Sequence, residues 1–450
     1  MTPSVDPEHR PPPLVGAVWA LLVVNVLGSQ GAETFVAVPQ PVYQLVTMGS
    51  LLAAFVLALA LNPRIRLRPN AFLLMLSLLL VTSLVATVQL ETGVGGGLFR
   101  CWRLAMFLAT LWLLTCWWDG SVAFVRYHIR AYAAVLATVV LGLAVAPGLA
   151  MPEAYGGRLT GAVWPLTPPQ VGQYAAVVAG LTLVLWLARR TDHRSTLAIA
   201  VPAIVLVFMS YTRTATLGLV VALVVAGISL ALTTSRARRF IAGTAAVTAL
   251  GSVAFASAVE VWFRRGQTEE NFANLTGRQK VWDALLAAPR TPSELWFGVG
   301  LGNKSFDGLP IDSGWLAVYQ EQGLVGVGLV AVFLATLLAV AFLRPPSPTR
   351  ACAVFLIVYC LIASYTEVGL GDASPYLLHL AVAASLLVAT TKTGEVMTPL
   401  VPGPTSAQPA DLPTAPQGNV TQPRHKYVPE QDHSFPNATN TRKSGEAGQP

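Results

Sequence analysis

Long apolar runs separated by short polar connections dominate the chain from residue 14 to residue 390. A helix needs roughly 20 mainly apolar residues to cross about 30 Å of hydrocarbon. With no water in the bilayer to satisfy backbone groups, only helices or closed barrels span it, and these runs are far too long for barrel strands. The pattern predicts an all-α fold, a polytopic integral membrane helical bundle. Its roughly 12 transmembrane helices fall near residues 14–30, 42–61, 71–90, 101–117, 131–147, 171–188, 196–210, 214–232, 240–259, 313–343, 351–366 and 375–390. The first run is followed at once by further spans and lacks a small-residue cleavage signal, so it reads as an anchor.

Composition agrees. Hydrophobic residues make up 54% of the chain, charged residues 11%, and the mean hydropathy is +0.58, more apolar surface than a soluble fold buries. A secreted soluble protein is excluded. Cytoplasmic connections retain Lys and Arg, and arginines fall in every second connection: Arg64, Arg66 and Arg68; Arg126 and Arg130; Arg189, Arg190 and Arg194; Arg236, Arg238 and Arg239; Arg344 and Arg350. That alternation predicts a multi-pass protein of the cell (plasma) membrane with both termini cytoplasmic. The net charge of +7 is then chiefly a topology signal facing anionic membrane lipids, and no nucleic-acid partner is expected. Arg outnumbers Lys 24 to 5, which hints at a GC-rich bacterial genome. Cys101, Cys116, Cys352 and Cys360 show no metal-ligand spacing and read as small core residues.

Three regions follow. Residues 1–13 form a polar cytoplasmic segment, 14–390 the membrane body, and 391–450 a tail with ten prolines and hardly any apolar periodicity, expected to be disordered. One long connection, about 260–312, interrupts the body on the outer face, and a loop of that length in a compact protein is usually functional. Phe272, Leu275, Val281, Trp282, Leu285, Leu286, Leu295, Trp296 and Phe297 recur at spacings of short amphipathic helices lying along the membrane surface, with Pro292 as a break. Gly298, Gly300 and Gly302 then supply a backbone that turns tightly or approaches a ligand closely; turn-making alone would also explain them.

The informative charges are those that topology does not require. Arg100 and Arg103 share a face at the start of the fourth span, Arg158 lies in the connection 148–170, Arg213 in a connection of a few residues, and Arg278 in the long loop. Outer arginines suggest an anionic ligand, because a guanidinium donates in pairs and stays charged. Their bland alternative is contact with lipid phosphates or with Glu91, Glu153, Glu260, Glu269, Glu270, Glu367 and Asp372. Asp312, at the mouth of the tenth span, and Glu321, within it, are candidate bases; Asp312 or Ser313 could equally cap that helix. His379, inside the last span, reads as a packed, hydrogen-bonded side chain. No spacing of Asp, Glu or His in the outer loops forms a ligand set, so no metal and no cofactor is expected.

In order along the chain, Arg158-Leu-Thr-Gly161, Tyr211-Thr-Arg-Thr-Ala215, Thr276-Gly-Arg-Gln-Lys-Val-Trp282, Gly298-Val-Gly-Leu-Gly302, Asp312-Ser-Gly-Trp-Leu316 and Glu321-Gln-Gly-Leu-Val-Gly326 resemble the landmarks of the O-antigen ligase and O-antigen polymerase superfamily. The resemblance covers roughly residues 150–330. It implies a metal-independent glycosyltransferase of the bacterial inner membrane, which takes a glycan from a polyprenyl-diphosphate donor, such as an undecaprenyl diphosphate, and passes it to a hydroxyl on a glycan or lipid-glycan acceptor in envelope polysaccharide assembly. Arg158, Arg213 and Arg278 would hold the diphosphate, with Arg100 and Arg103 as further candidates. Lipopolysaccharide ligases usually carry His where Asp312 stands, so the departure points toward polymerase-like relatives.

A secondary transporter or a lipid-linked oligosaccharide flippase is the alternative, since twelve spans is a common transporter layout. Against it, the long loop lies between spans nine and ten, no internal repeat is visible, and the spans hold few ionisable groups.

Overall fold

The computed structural model describes residues 12–28, 33–89, 94–254, 278–302 and 304–388. The tail 391–450, almost all of the N-terminal segment and the loop positions Phe272 and Leu275 lie outside the described residues. Met1–Thr391 forms one compact unit. It is mostly helical, as the apolar runs predict.

The helices are α1 (Pro13–Asn25), α2 (Gln40–Leu61), α3 (Ala71–Gln89), α4 (Val94–Leu114), α5 (Ala123–Val145), the one-turn α6 (Pro147–Ala150), α7 (Pro168–Leu187), α8 (His193–Met209), α9 (Arg213–Ala231) and α10 (Ser235–Ala254). Two short helices follow in the described part of the long connection, α11 (Arg278–Ala287) and α12 (Pro292–Phe297), then a hairpin of β1 (Ser305–Phe306) and β2 (Leu309–Pro310), antiparallel with Ser305 opposite Pro310. Three more complete the body: α13 (Gly314–Leu343), α14 (Pro348–Ala363) and α15 (Pro375–Leu386).

Each predicted span overlaps one of these helices. Among the described residues, seven are long and apolar enough to cross a membrane: α2, α3, the stretch Gly96–Trp117 that holds most of α4, α5, α7, α9 and α13. The helices α1, α8, α14 and α15 are apolar but have 10–17 residues, and α10 starts with the arginine-rich Ser235-Arg-Ala-Arg-Arg239.

Serine or threonine followed by proline opens many of them. Thr167, Thr291, Ser347 and Ser374 each stand at the N-cap before a proline in the first turn. The hydroxyl accepts an otherwise unpaired amide of that turn, and proline has no amide to satisfy. Thus Pro292, expected only to break a helix, starts one, with Thr291 and Glu294 capping it reciprocally.

At the opposite helix ends, arginines of the predicted cytoplasmic connections donate to carbonyls that a finished helix leaves free. Arg68 bonds Trp118 O at 2.7 Å, Arg236 bonds Trp186 O at 2.9 Å, and Arg344 bonds Leu386 O at 3.2 Å.

Helix α7 is buried on nearly every side, whereas α2, α3 and α9 leave Leu52, Val56, Leu74, Leu78, Val220 and Ile228 exposed for lipid. Small residues make that possible by letting helices approach closely. A Cβ on Gly180 would fall inside the Phe355 ring of α14, and one on Gly218 of α9 would meet the Tyr359 ring at 3.0 Å. We therefore expect Gly180→Ala to destabilise the fold by about 1–3 kcal/mol through overpacking, read as a lower midpoint of thermal unfolding in detergent, with Gly49→Ala, where a Cβ meets nothing, leaving the midpoint unchanged.

Candidate functional site

A cavity of about 1470 Å³ opens where five separate stretches of chain meet. Its described lining comes from residues 33–43, from Tyr155 to Gln173, from Arg278 at the start of α11, from Pro310 and Asp312, and from Glu367 to Tyr376. The first stretch is fastened to the second: Phe35 N–H donates to Ala162 O at 2.7 Å, and the Tyr43 and Trp164 rings meet edge to face at 4.9 Å.

Arg158 faces this cavity while anchoring the turn between α8 and α9. Its Nε donates to Ser210 O at 3.0 Å and an Nη to Thr212 Oγ1 at 3.2 Å. Thr212 in turn donates to Pro168 O at 3.1 Å, and Leu159 N–H donates to Met209 O at 3.0 Å. The turn needs a left-handed residue, Tyr211, with φ of 48°, an unusual conformation for a bulky side chain. Arg213 follows at once and lies within electrostatic reach of Arg158. Thr214 shares a hydrogen bond of 2.6 Å with Thr366, tying α9 to the last connection.

Arg278 Nε pairs with Asp312 Oδ2 at 3.0 Å, both partly exposed. Beside them stands Glu367, half-buried in the connection between α14 and α15. Burial pushes its carboxyl up to about 7; Asp312 adds to the rise, while Arg278 and Arg158 oppose it. Arg158, Arg278 and Asp312, widely separated in sequence, thus line one cavity, and Glu367 joins them. Sequence reasoning held Glu367 only as a possible ion-pair partner; its signal was a carboxylate in an outer connection of few residues.

The other candidates lie elsewhere. Arg100 donates to Glu321 Oε1 at 3.2 Å and to Asp372 Oδ2 at 3.1 Å, and Lys304 Nζ reaches Asp372 Oδ2 at 3.5 Å. Burial alone would raise the Asp372 carboxyl, but Lys304, Arg103 and Arg100 outweigh it and hold it below the usual carboxylate range. Arg103 donates to Asn25 O at 3.0 Å. None of Arg100, Arg103, Arg213, Glu321 or the three glycines is among the described lining of the cavity.

The glycines pack against protein. Helix α13 is broken at Gly323, whose φ of 63° is left-handed, and the segment from Gly298 lies against the break. Val299 N–H donates to Gln320 O at 2.9 Å, Gly300 N–H to Glu321 O at 3.0 Å, and Gly302 N–H to Glu321 Oε1 at 3.0 Å. A Cβ on Gly298 would strike the Glu321–Gln322 backbone, one on Gly323 the Trp296 backbone, and one on Gly300 the Thr87 Cα at 2.9 Å. Among the described residues no group of three or more His, Cys, Asp or Glu is arranged to hold a metal ion.

Residues 198–331 match the family model of O-antigen ligase. That stretch, under a third of the chain, is similar to the O-antigen ligase family. The family is one of membrane glycosyl-transferring ligases and polymerases, which supports an enzyme, and the superfamily resemblance read from the motifs holds over this stretch. The O-antigen ligase match contains Arg213, Arg278, Asp312, Glu321 and the three glycines, and excludes Arg158 and Glu367. A comparison with curated proteins found no match.

The broken helix gives a prediction. Gly323→Ala and Gly298→Ala each force a side chain into a left-handed position against backbone, so each should cost about 1–3 kcal/mol. Thermal unfolding with paired hydrogen exchange checks this: protection of the Val299 and Gly300 amides should fall with the midpoint, and unchanged protection would contradict the docking described.

Proposed function

We propose that the protein moves a glycan from a polyprenyl-diphosphate donor to an acceptor hydroxyl at the outer membrane face. It would cross the membrane twelve times with both termini cytoplasmic. One observation carries the reading: a single cavity presents two guanidinium groups, Arg158 and Arg278, beside the carboxyl groups of Asp312 and Glu367, with a third, that of Glu33, also on its lining. Fixed guanidiniums stabilise the charge that grows on a departing diphosphate, as the bond between the anomeric carbon and the phosphate oxygen breaks. A carboxylate near neutral pKa takes the proton of the attacking hydroxyl as its oxygen bonds to that carbon.

Glu367 suits the second role through its raised pKa, and Asp312 supports it by pairing with Arg278. Glu321, a candidate base in the sequence, is committed to Arg100 and Gly302, so in this reading it holds the fold. Arg213 adds positive charge beside Arg158; Arg100 and Arg103 serve the network with Asp372.

The test is glycan transfer by purified protein in nanodiscs, with polyprenyl-diphosphate-linked glycans from the source envelope. Arg158→Ala and Arg278→Ala should lower turnover about 10²–10³-fold. A base acts ionised, so wild-type turnover should rise with pH through about 7. Asp312 is one cause of the raised Glu367 pKa, so Asp312→Asn should move that rise to lower pH, and Glu367→Gln should abolish it. No transfer with any envelope donor, while labelled lipid-linked substrate crosses a proteoliposome membrane, would instead establish a transporter or flippase.

A further inference from the structure

Four polar side chains form an unbroken line through the otherwise apolar bundle. Trp19 of α1 lies 3.1 Å by its Nε1 from His128 Nδ1 of α5; His128 Nε2 lies 2.8 Å from His379 Nδ1 of α15; His379 Nε2 lies 3.1 Å from the side-chain amide of Gln173 on α7. Trp19, His128 and His379 are fully buried, and Gln173 is buried but for the part that lines the cavity.

The chemistry of the first member decides the rest. An indole N–H only donates, so His128 Nδ1 must be the acceptor. The single proton of that neutral ring then sits on Nε2 and is donated to His379 Nδ1. His379 therefore carries its own proton on Nε2, and that N–H needs an acceptor at Gln173. The amide nitrogen placed there cannot accept, so the amide turns over and Oε1 takes the position 3.1 Å from His379. The NH₂ group is left on the other side.

We infer that Gln173 is a ligand-binding residue whose NH₂ group is held facing the cavity, its orientation set by Trp19, His128 and His379 acting as positioning residues. The ligand class is an oxygen acceptor of an anionic group, as in a diphosphate. Gln173 adds a fixed neutral donor to the Arg158 and Arg278 guanidiniums that line the same space. A surface glutamine would rotate freely and pay rotamer entropy on binding; one whose oxygen is already held loses less. The inference rests on the anionic-donor reading above, and it accounts for two histidines buried among apolar side chains.

The test uses full-length protein in nanodiscs with two probes, inorganic pyrophosphate and polyprenyl diphosphate. Gln173→Leu should weaken binding of both about tenfold. Gln173→Glu should weaken it further, because a carboxylate oxygen would replace the donor. His379→Phe and Trp19→Phe, at positions outside the described lining of the cavity, should raise KM for the donor with kcat little changed. Nitrogen NMR assigned to His128 and His379 in the wild type should show both as neutral Nε2–H rings, with the tautomers mixed in Trp19→Phe. A charged ring, or an Nδ1–H tautomer at either position in the wild type, overturns the relay. Probe binding that is indifferent to Gln173 in folded variants overturns the inference alone. Failure of the wild type to bind either probe overturns the diphosphate reading and the inference with it.

Discussion

The break at Gly323 governs the described segment that runs from α12 into α13. Helix α13 is the longest, 30 residues, and a left-handed residue inside it takes away the donors that the preceding carbonyls would meet in a continuous helix. In a bilayer those carbonyls have no water to turn to. The amides of Val299 and Gly300 supply the missing hydrogen bonds, and this is possible only because glycine stands at 298, 300 and 323, where backbones touch. The docked segment leads directly into the β1–β2 hairpin, where Ile311 N–H donates to Lys304 O at 2.9 Å, and so to Asp312. The position of Asp312 is thus inherited from the break.

Charge divides accordingly into two groups with different environments. Arg100, Lys304, Glu321 and Asp372 pair with one another where the glycine segment meets α3, α4 and α13, and the two carboxylates are almost fully buried. Buried ion pairs of this kind contribute little net stability against an apolar replacement, yet removing one partner leaves a costly bare charge. They fix register. Arg158, Arg278, Asp312 and Glu367 border open space, where charge remains available to a ligand.

The helices were legible because lipid demands apolar runs, and the segregation of arginines was legible because the same residues meet helix C-termini at one end, as Arg236 and Arg344 do. What the runs could not carry was partnership. A helix that is apolar all round has no face to betray its neighbour, so nothing in the sequence tied Arg100 to Glu321, 221 residues away, or Gln173 to His379, 206 away. Glu321 looked like a base because a carboxylate near glycines and arginines can be one; its burial against the Gly302 amide is a tertiary fact. His379 was legible as a packed, hydrogen-bonded group, but its partners were not. Asp312 and Ser313 were open between capping and chemistry, and the structure separates them: Ser313 accepts from Leu316 N–H at the N-cap, which leaves the Asp312 carboxylate to Arg278.

Positive charge at the cavity does not come from the arginines alone. Its described lining includes the starts of α2, α7 and α15 and the residues just before α13: Pro39 and Gln40, Thr167 to Gln170, Pro375 and Tyr376, and Asp312. A helix start presents the positive end of its dipole. The arginines that donate to Trp186 O and Leu386 O sit at the far ends of α7 and α15. Substituting Arg158 or Arg278 therefore removes part of the positive field and leaves the dipoles and the Gln173 donor in place. Ligand affinity should consequently fall less than turnover, because the guanidiniums meet charge that develops only as the bond breaks, whereas the dipoles and the Gln173 donor meet charge the ligand already carries.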